Sequence, residues 1–251
     1  MPPTTSLDWL VARPIAHRGL HDQAKGVIEN TAGAALAAIA GNFAIECDVQ
    51  VTADGEAVVF HDFTLERLTQ GSGRVDALSV KALQALAMRG TSDRILTLRE
   101  WLDLVAGRVA VVIEVKSSFD GDKRLTRRTA EIAKSYDGPL VLKSFDPKVL
   151  KTLRDHAPEI PRGIVAMSAY EYPDYERLSA TEKYALANLL HFSETKPDFL
   201  SWRVGDLPSA APYLCRSQLG LPVMSWTVRT PQEREVARLN ADQMVFEGFR
   251  P

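Results

Sequence analysis

The strongest constraint on the fold of this chain is a rhythm. Short runs rich in Val and Ile, flanked by Gly, Pro or polar residues, keep giving way to longer stretches with helical spacing. Eight strand candidates fall at 14–17, 43–49, 109–115, 140–143, 163–165, 199–201, 223–228 and 244–247. Helical patterns follow at 31–40 (behind a capping Asn30), 97–106, 123–136, 147–156, 181–190, 209–219 and 231–239. Such alternation implies an α/β protein with a parallel sheet, and eight units in 251 residues fit one (β/α)8 TIM barrel spanning residues 1–251. The rival is a doubly wound open sheet. It is disfavoured because unusual polar residues end many strands instead of gathering at one switch point.

Two stretches break the rhythm. After the second strand, Thr52-Ala53-Asp54-Gly55 reads as a turn into a hairpin extension at 57–60, and residues 63–96 then form a small insertion at the barrel mouth with one helix at 79–87. The second stretch, 167–177, carries Tyr170, Tyr172 and Tyr175 among Glu171, Asp174 and Glu176. It reads equally as a lid over a substrate or as a solvated loop.

Strands of a parallel sheet are buried on both faces and should be almost wholly apolar. Here Glu46 and Asp48, two apart, share one face of the second strand while Cys47 faces the other way, and Glu114 and Lys116 repeat the pattern on the third. Carboxylates converging without a neighbouring Cys or His ligand favour a hard divalent cation, Mg²⁺ or Ca²⁺, over zinc. The bland alternative is an ion-pair network with Arg18 and Lys116. His17 ends the first strand and His61 the hairpin extension, so both face the same mouth; beside a metal they make a plausible general base and acid. His21, His156 and His191 have no such setting. Arg18, Lys116 and Lys143 could hold an anionic group such as a phosphoryl oxygen, although Lys143 could equally just neutralise a carboxylate. Lys123, Arg124, Arg127 and Arg128 read as a solvated helix face, and Trp226 as a substrate-stacking or core residue.

Composition excludes some classes. With 30 basic and 32 acidic residues the formal charge is −2, so nucleic acid is not an expected partner. Cys47 and Cys215 read as reduced thiols, residues 1–18 lack the apolar core of a secretory signal, and the most apolar stretch, 32–40, is too short to span a bilayer. The expectation is a soluble, cytoplasmic protein with a small-molecule substrate; a homo-oligomer is compatible with the sequence.

The strings Ile15-Ala16-His17-Arg18-Gly19, Glu29-Asn30-Thr31, Ile45-Glu46-Cys47-Asp48-Val49-Gln50-Val51-Thr52-Ala53-Asp54-Gly55 and Val58-Val59-Phe60-His61-Asp62 resemble the glycerophosphodiester phosphodiesterase family. The resemblance continues through Ile113-Glu114-Val115-Lys116, Lys143-Ser144-Phe145 and Ser225-Trp226-Thr227-Val228, and weakens between 166 and 221. It implies a TIM barrel with an insertion after the second strand. By position it implies His17 and His61 as the acid/base pair, Glu46, Asp48 and Glu114 as metal ligands, and Arg18 and Lys116 at the phosphate. Glu29 and Asn30 match residues that line and support the mouth. The implied reaction is metal-dependent hydrolysis of diesters such as glycerophosphocholine or glycerophosphoethanolamine to an alcohol and glycerol 3-phosphate, by water or through a cyclic phosphate. Ile28 and Glu247 depart from the family pattern, and on sequence neither is expected to touch the chemistry. Competing readings are the same chemistry on lysophospholipids, a metal-dependent sugar isomerase, and a non-catalytic binding protein derived from the enzyme.

Overall fold

The computed structural model describes residues 7–251. Its strands are β1 (Ile15–Ala16), β2 (Ala44–Val51), β3 (Ala57–Val59), β4 (Val111–Val115), β5 (Leu140–Ser144), β6 (Arg162–Ala166), β7 (Phe199–Arg203), β8 (Val223–Val228) and β9 (Gln243–Phe246). All but β3 run parallel to their neighbours, and β1 pairs with both β2 and β9, so eight strands close into a barrel. β3 folds back antiparallel on β2, with Val49 opposite Val59 and Val51 opposite Ala57. This is the expected hairpin extension.

Helices between the strands turn an apolar face to the barrel wall. They occupy Ala32–Ala40, Leu98–Val105, Arg124–Lys134, Pro147–His156, Ala180–Ala187, Ala210–Leu219 and Pro231–Asn240. Their starts are set locally: Thr97 with Glu100, Ser179 with Glu182 and Thr230 with Glu233 each form a reciprocal capping box. The first of these helices starts one residue later than the sequence suggests. Thr31, not Asn30, is its cap, accepting from the backbone N–H of Ala34, because Asn30 sits at φ +59° with its amide turned to Asp48.

Two apolar layers follow from strand alternation. Ile45, Cys47, Val49, Ile113 and Val115 point outward against Leu98, Trp101, Leu102 and Val105. Ile15, Ala44, Val112, Val141, Phe199, Met224 and Val245 point inward and fill the N-terminal half of the barrel. A four-residue helix, Asp8–Val11, sends the fully buried Leu10 into this inner layer and stops that end. The rhythm did not announce it, because one turn has no periodicity to detect. Gly163 on β6 makes room for the largest inner side chain: a Cβ there would lie 2.1 Å from the Phe199 ring.

The insertion folds over β3 around its own core of Val58, Phe60, Leu65, Leu68, Val75, Leu83 and Ile95, and its helix, Val80–Gln84, is shorter than expected. Among the described residues no helix is long and apolar enough to cross a membrane. The reading that residues 1–18 carry no secretory signal concerns in part residues 1–6, which lie outside the described residues.

Candidate active site

Above the apolar plug, the next inward positions are charged. β2 supplies Glu46 and Asp48, β4 supplies Glu114 and β5 supplies Lys143. The register sets Asp48 beside Glu114 and Glu114 beside Lys143, so their convergence follows directly from strand pairing. One carboxylate oxygen from each of Glu46, Asp48 and Glu114 lies within 4.8 Å of the others, and all three residues are buried.

Cations hold this cluster together. Lys116 Nζ lies 2.7 Å from Asp48 Oδ1 and 2.6 Å from Glu114 Oε1, and Lys143 Nζ lies 3.0 Å from both Glu46 Oε1 and Glu114 Oε2. Burial pushes the Glu114 carboxyl upward, but Lys116 and Lys143 outweigh it and hold the group at about 2. Burial acts likewise on Asp48, where Lys116, His61 and Arg18 bring it well below the usual carboxylate range. Both lysines, drawn down by burial, are carried above the usual value by the same carboxylates. The ion-pair network and a metal site are therefore built from the same groups. Three carboxylates against two ammonium groups leave one negative charge uncompensated by the lysines, and the donors are all hard oxygens. The residues fit a hard divalent cation.

The turn after β1 completes the rim. Arg18 (φ +56°) and Gly19 (φ +81°) both lie in the left-handed region, and a Cβ on Gly19 would sit 2.8 Å from the Ala34 backbone. The turn aims the Arg18 backbone N–H at Glu46 Oε2 (3.1 Å), while the guanidinium meets Glu29 Oε1 at 2.7 Å and Asp48 Oδ2 at 3.4 Å. Asn30 grips Asp48 twice: its Nδ2 donates to Oδ2 (2.9 Å) and its Oδ1 accepts from the Asp48 backbone N–H (3.2 Å). Glu29 accepts from Arg18 Nη1 and from Arg67 Nη1 and Nη2, and these two guanidinium groups offset burial and hold its carboxyl at about 2. Glu29 and Asn30 thus brace the rim and the Asp48 carboxylate and are not among the residues lining the cleft. Lys143, 2% exposed, has its ammonium engaged by two glutamates and also lines the cleft.

His17 and His61 open onto one polar cleft of about 280 Å³ with Asp48, Glu114 and Lys116. His61 Nδ1 donates to Asp62 Oδ1 (2.7 Å), and Arg67 clamps Asp62 through Nε (2.6 Å) and Nη2 (2.9 Å). His17 Nδ1 lies 2.6 Å from Glu247 Oε2, which corrects the expectation that Glu247 stands apart from the chemistry. The reason is position: Glu247 follows β9, next to β1 around the ring, on the inward parity set by Val245. Asp62, Arg67, Arg229 and Glu247 were all missed as site residues. Along the chain Asp62 had its place beside His61 and Glu247 its departure from the family pattern as signals; Arg229 had none.

A wider groove of about 620 Å³ opens from the same centre on the His61 side, walled by Phe119, Phe145, Met167, Tyr175 and Trp226. Trp226 donates its indole N–H to the Ser201 carbonyl (2.9 Å) and faces both spaces. The irregular stretch 167–177 forms part of this wall through Met167 and Tyr175; behind it Tyr170 is buried edge-on against Phe145 at 6.5 Å between centroids, and Tyr175 is tilted against the same ring at 5.7 Å.

Residues 17–246 match the model of the Glycerophosphoryl diester phosphodiesterase family. A glycerophosphodiester phosphodiesterase of Caldanaerobacter subterraneus subsp. tengcongensis is 32% identical over 161 residues, covering 60% of this chain and 65% of that protein, just under two thirds of its length. Glycerophosphodiester phosphodiesterase 1 of Bos taurus is 25% identical over 246 residues, covering 88% of this chain and 72% of the other. Among solved structures, an Oleispira antarctica phosphodiesterase in complex with the product sn-glycerol-3-phosphate superposes with a TM-score of 0.75 at 23% identity, covering 95% of this chain and 94% of that one. That likeness is one of fold.

Proposed function

The chain belongs to the glycerophosphoryl diester phosphodiesterase family, and on that premise we propose that it hydrolyses glycerophosphodiesters, such as glycerophosphocholine or glycerophosphoethanolamine, to an alcohol and glycerol 3-phosphate. The observation that carries the reading is the shared cleft, in which His17 and His61 face a carboxylate cluster ringed by Arg18 and Lys116. Glu46, Asp48 and Glu114 would hold Mg²⁺ or Ca²⁺, which supplies Lewis-acid polarisation of the phosphoryl group when bound. Arg18 and Lys116 orient the anionic substrate. One histidine takes a proton from the nucleophile, water or the glycerol 2-hydroxyl, and the other gives one to the leaving alkoxide. Two histidines beside the cationic Arg18 and Lys116 suit an anionic phosphodiester better than the isomerisation of a neutral sugar.

The apolar groove supports a second substrate. Its rings pack edge-on at 5.4 Å (Phe145 to Trp226) and 5.7 Å (Phe119 to Tyr175), forming a continuous wall rather than separate faces around a small cation. A wall of this kind suits the hydrocarbon part of a lysophospholipid.

The test is to strip the protein with a chelator, restore Mg²⁺ or Ca²⁺, and follow phosphorus NMR with glycerophosphocholine and a chain-length series of lysophosphatidylcholines. Metal-dependent release of glycerol 3-phosphate is expected. Turnover that rises with chain length would move the main substrate to lysolipids, and no turnover on any substrate would favour a binding protein.

A further inference from the structure

His17 is held by a partner that lies 230 positions away along the chain. The Glu247 carboxylate stands 2.6 Å from His17 Nδ1, and it is itself gripped by both ends of one guanidinium: Arg229 Nε donates to Oε1 (3.1 Å) and Nη2 to Oε2 (3.0 Å). Arg229 is anchored in turn, its backbone N–H donating to Glu233 Oε2 (2.8 Å). An ionised carboxylate only accepts hydrogen bonds, so Nδ1 must carry the hydrogen. Burial alone would raise the Glu247 carboxyl, but His17 and Arg229 hold it well below the usual range. The opposite ring nitrogen, Nε2, points inward, 4.0 Å from Glu46 Oε2.

The arrangement at His61 has the same parts. There too Nδ1 faces a carboxylate, Asp62, clamped by the Nε and Nη2 of one arginine, Arg67. The two pairs come from different strand ends, so the likeness is one of chemistry and not of local sequence.

We propose that Glu247, clamped by Arg229, is a positioning residue for the phosphodiesterase reaction: it fixes His17 in the Nδ1–H tautomer and presents Nε2 as the reacting atom. A neutral imidazole free of this contact would divide between its two tautomers and rotate about its side-chain bonds, so fewer molecules would offer a lone pair to the cleft. Asp62 orients His61 in the same way, so each histidine works through Nε2, and whichever one serves as the acid carries a second proton there.

The inference rests on the phosphodiesterase reading for its rate consequence, though not for its structural one. The test uses ¹⁵N-histidine-labelled protein, with His17→Ala assigning the ring signals, and compares wild type with Glu247→Gln and Glu247→Asp at a pH where the imidazole is neutral. Wild type is expected to show the Nδ1–H tautomer at His17, and Glu247→Gln a mixture or the Nε2–H form. Turnover of Glu247→Gln should fall about 10²–10⁴-fold, with KM changed less than about threefold and part of the rate restored in Glu247→Asp. An unchanged His17 tautomer in a folded Glu247→Gln protein would overturn the proposal, as would turnover within about threefold of wild type. If wild type itself has no phosphodiesterase turnover, the reading of function fails while the NMR comparison still decides the brace.

Discussion

Lys143 shows what it takes to place three carboxylates in a space that elsewhere holds Val, Phe and Met. The side chain is 2% exposed, and its ammonium has Glu46 and Glu114 as near neighbours at 3.0 Å each. Removing one partner of a buried charge cluster leaves the others uncompensated. Lys143→Met, which keeps the stem and deletes the charge, should therefore lower stability by about 3–5 kcal/mol in chelator, read from the urea midpoint. An unshifted midpoint would mean the glutamates had found other compensation. The histidines should behave differently: His17→Ala and His61→Ala are expected to lose about 10²–10⁴-fold in turnover while calorimetry still detects metal binding. At this scale the sequence revealed the carboxylates, because inward polar residues violate strand alternation. It could not show that Lys143 both pairs with Glu46 and Glu114 and lines the cleft, since that depends on strand register around the barrel. Nor could it connect Arg67 to Glu29, or Arg229 to Glu247, because long side chains reaching between loops leave no periodic trace.

The elements were legible where length gave periodicity a chance to show. All eight barrel strands were anticipated, with ends displaced by up to two residues, because Val- and Ile-rich runs bounded by turns have few other readings. The short helices Asp8–Val11 and Phe192–Thr195 were not, and neither was the pairing of Gly163 with Phe199, which belongs to two strands at once. That pairing sets a prediction for β6: Gly163→Ala should cost about 1–3 kcal/mol in thermal or urea unfolding, since the methyl group would drive the Phe199 ring out of the plug. Thr97→Ala, which removes one capping box, should cost only about 1 kcal/mol and leave turnover unchanged. A Gly163→Ala protein as stable as wild type would mean that the inner layer can repack around a larger residue.

For the whole molecule, the rim and floor of the site are a store of charge that folding assembles and acid dismantles. Glu29 and Glu114 titrate at about 2 in the folded chain, against a usual 4.5. Folded values below unfolded ones mean that the stabilisation is fully present above about pH 4.5 and drains away as pH falls toward 2. The urea midpoint should therefore be flat near neutrality and decline through that window; a flat profile down to pH 2 would show that these ion pairs contribute little. The barrel also has a seam, where β1 lies against β9 and His17 meets Glu247. While the chain is being made, β1 leaves the ribosome with one edge unpaired and must wait for about 230 further residues before its second neighbour follows. Until residue 247 has been delivered, β1 keeps an exposed edge and His17 lacks its carboxylate partner, so closing the sheet and seating the histidine are a single event.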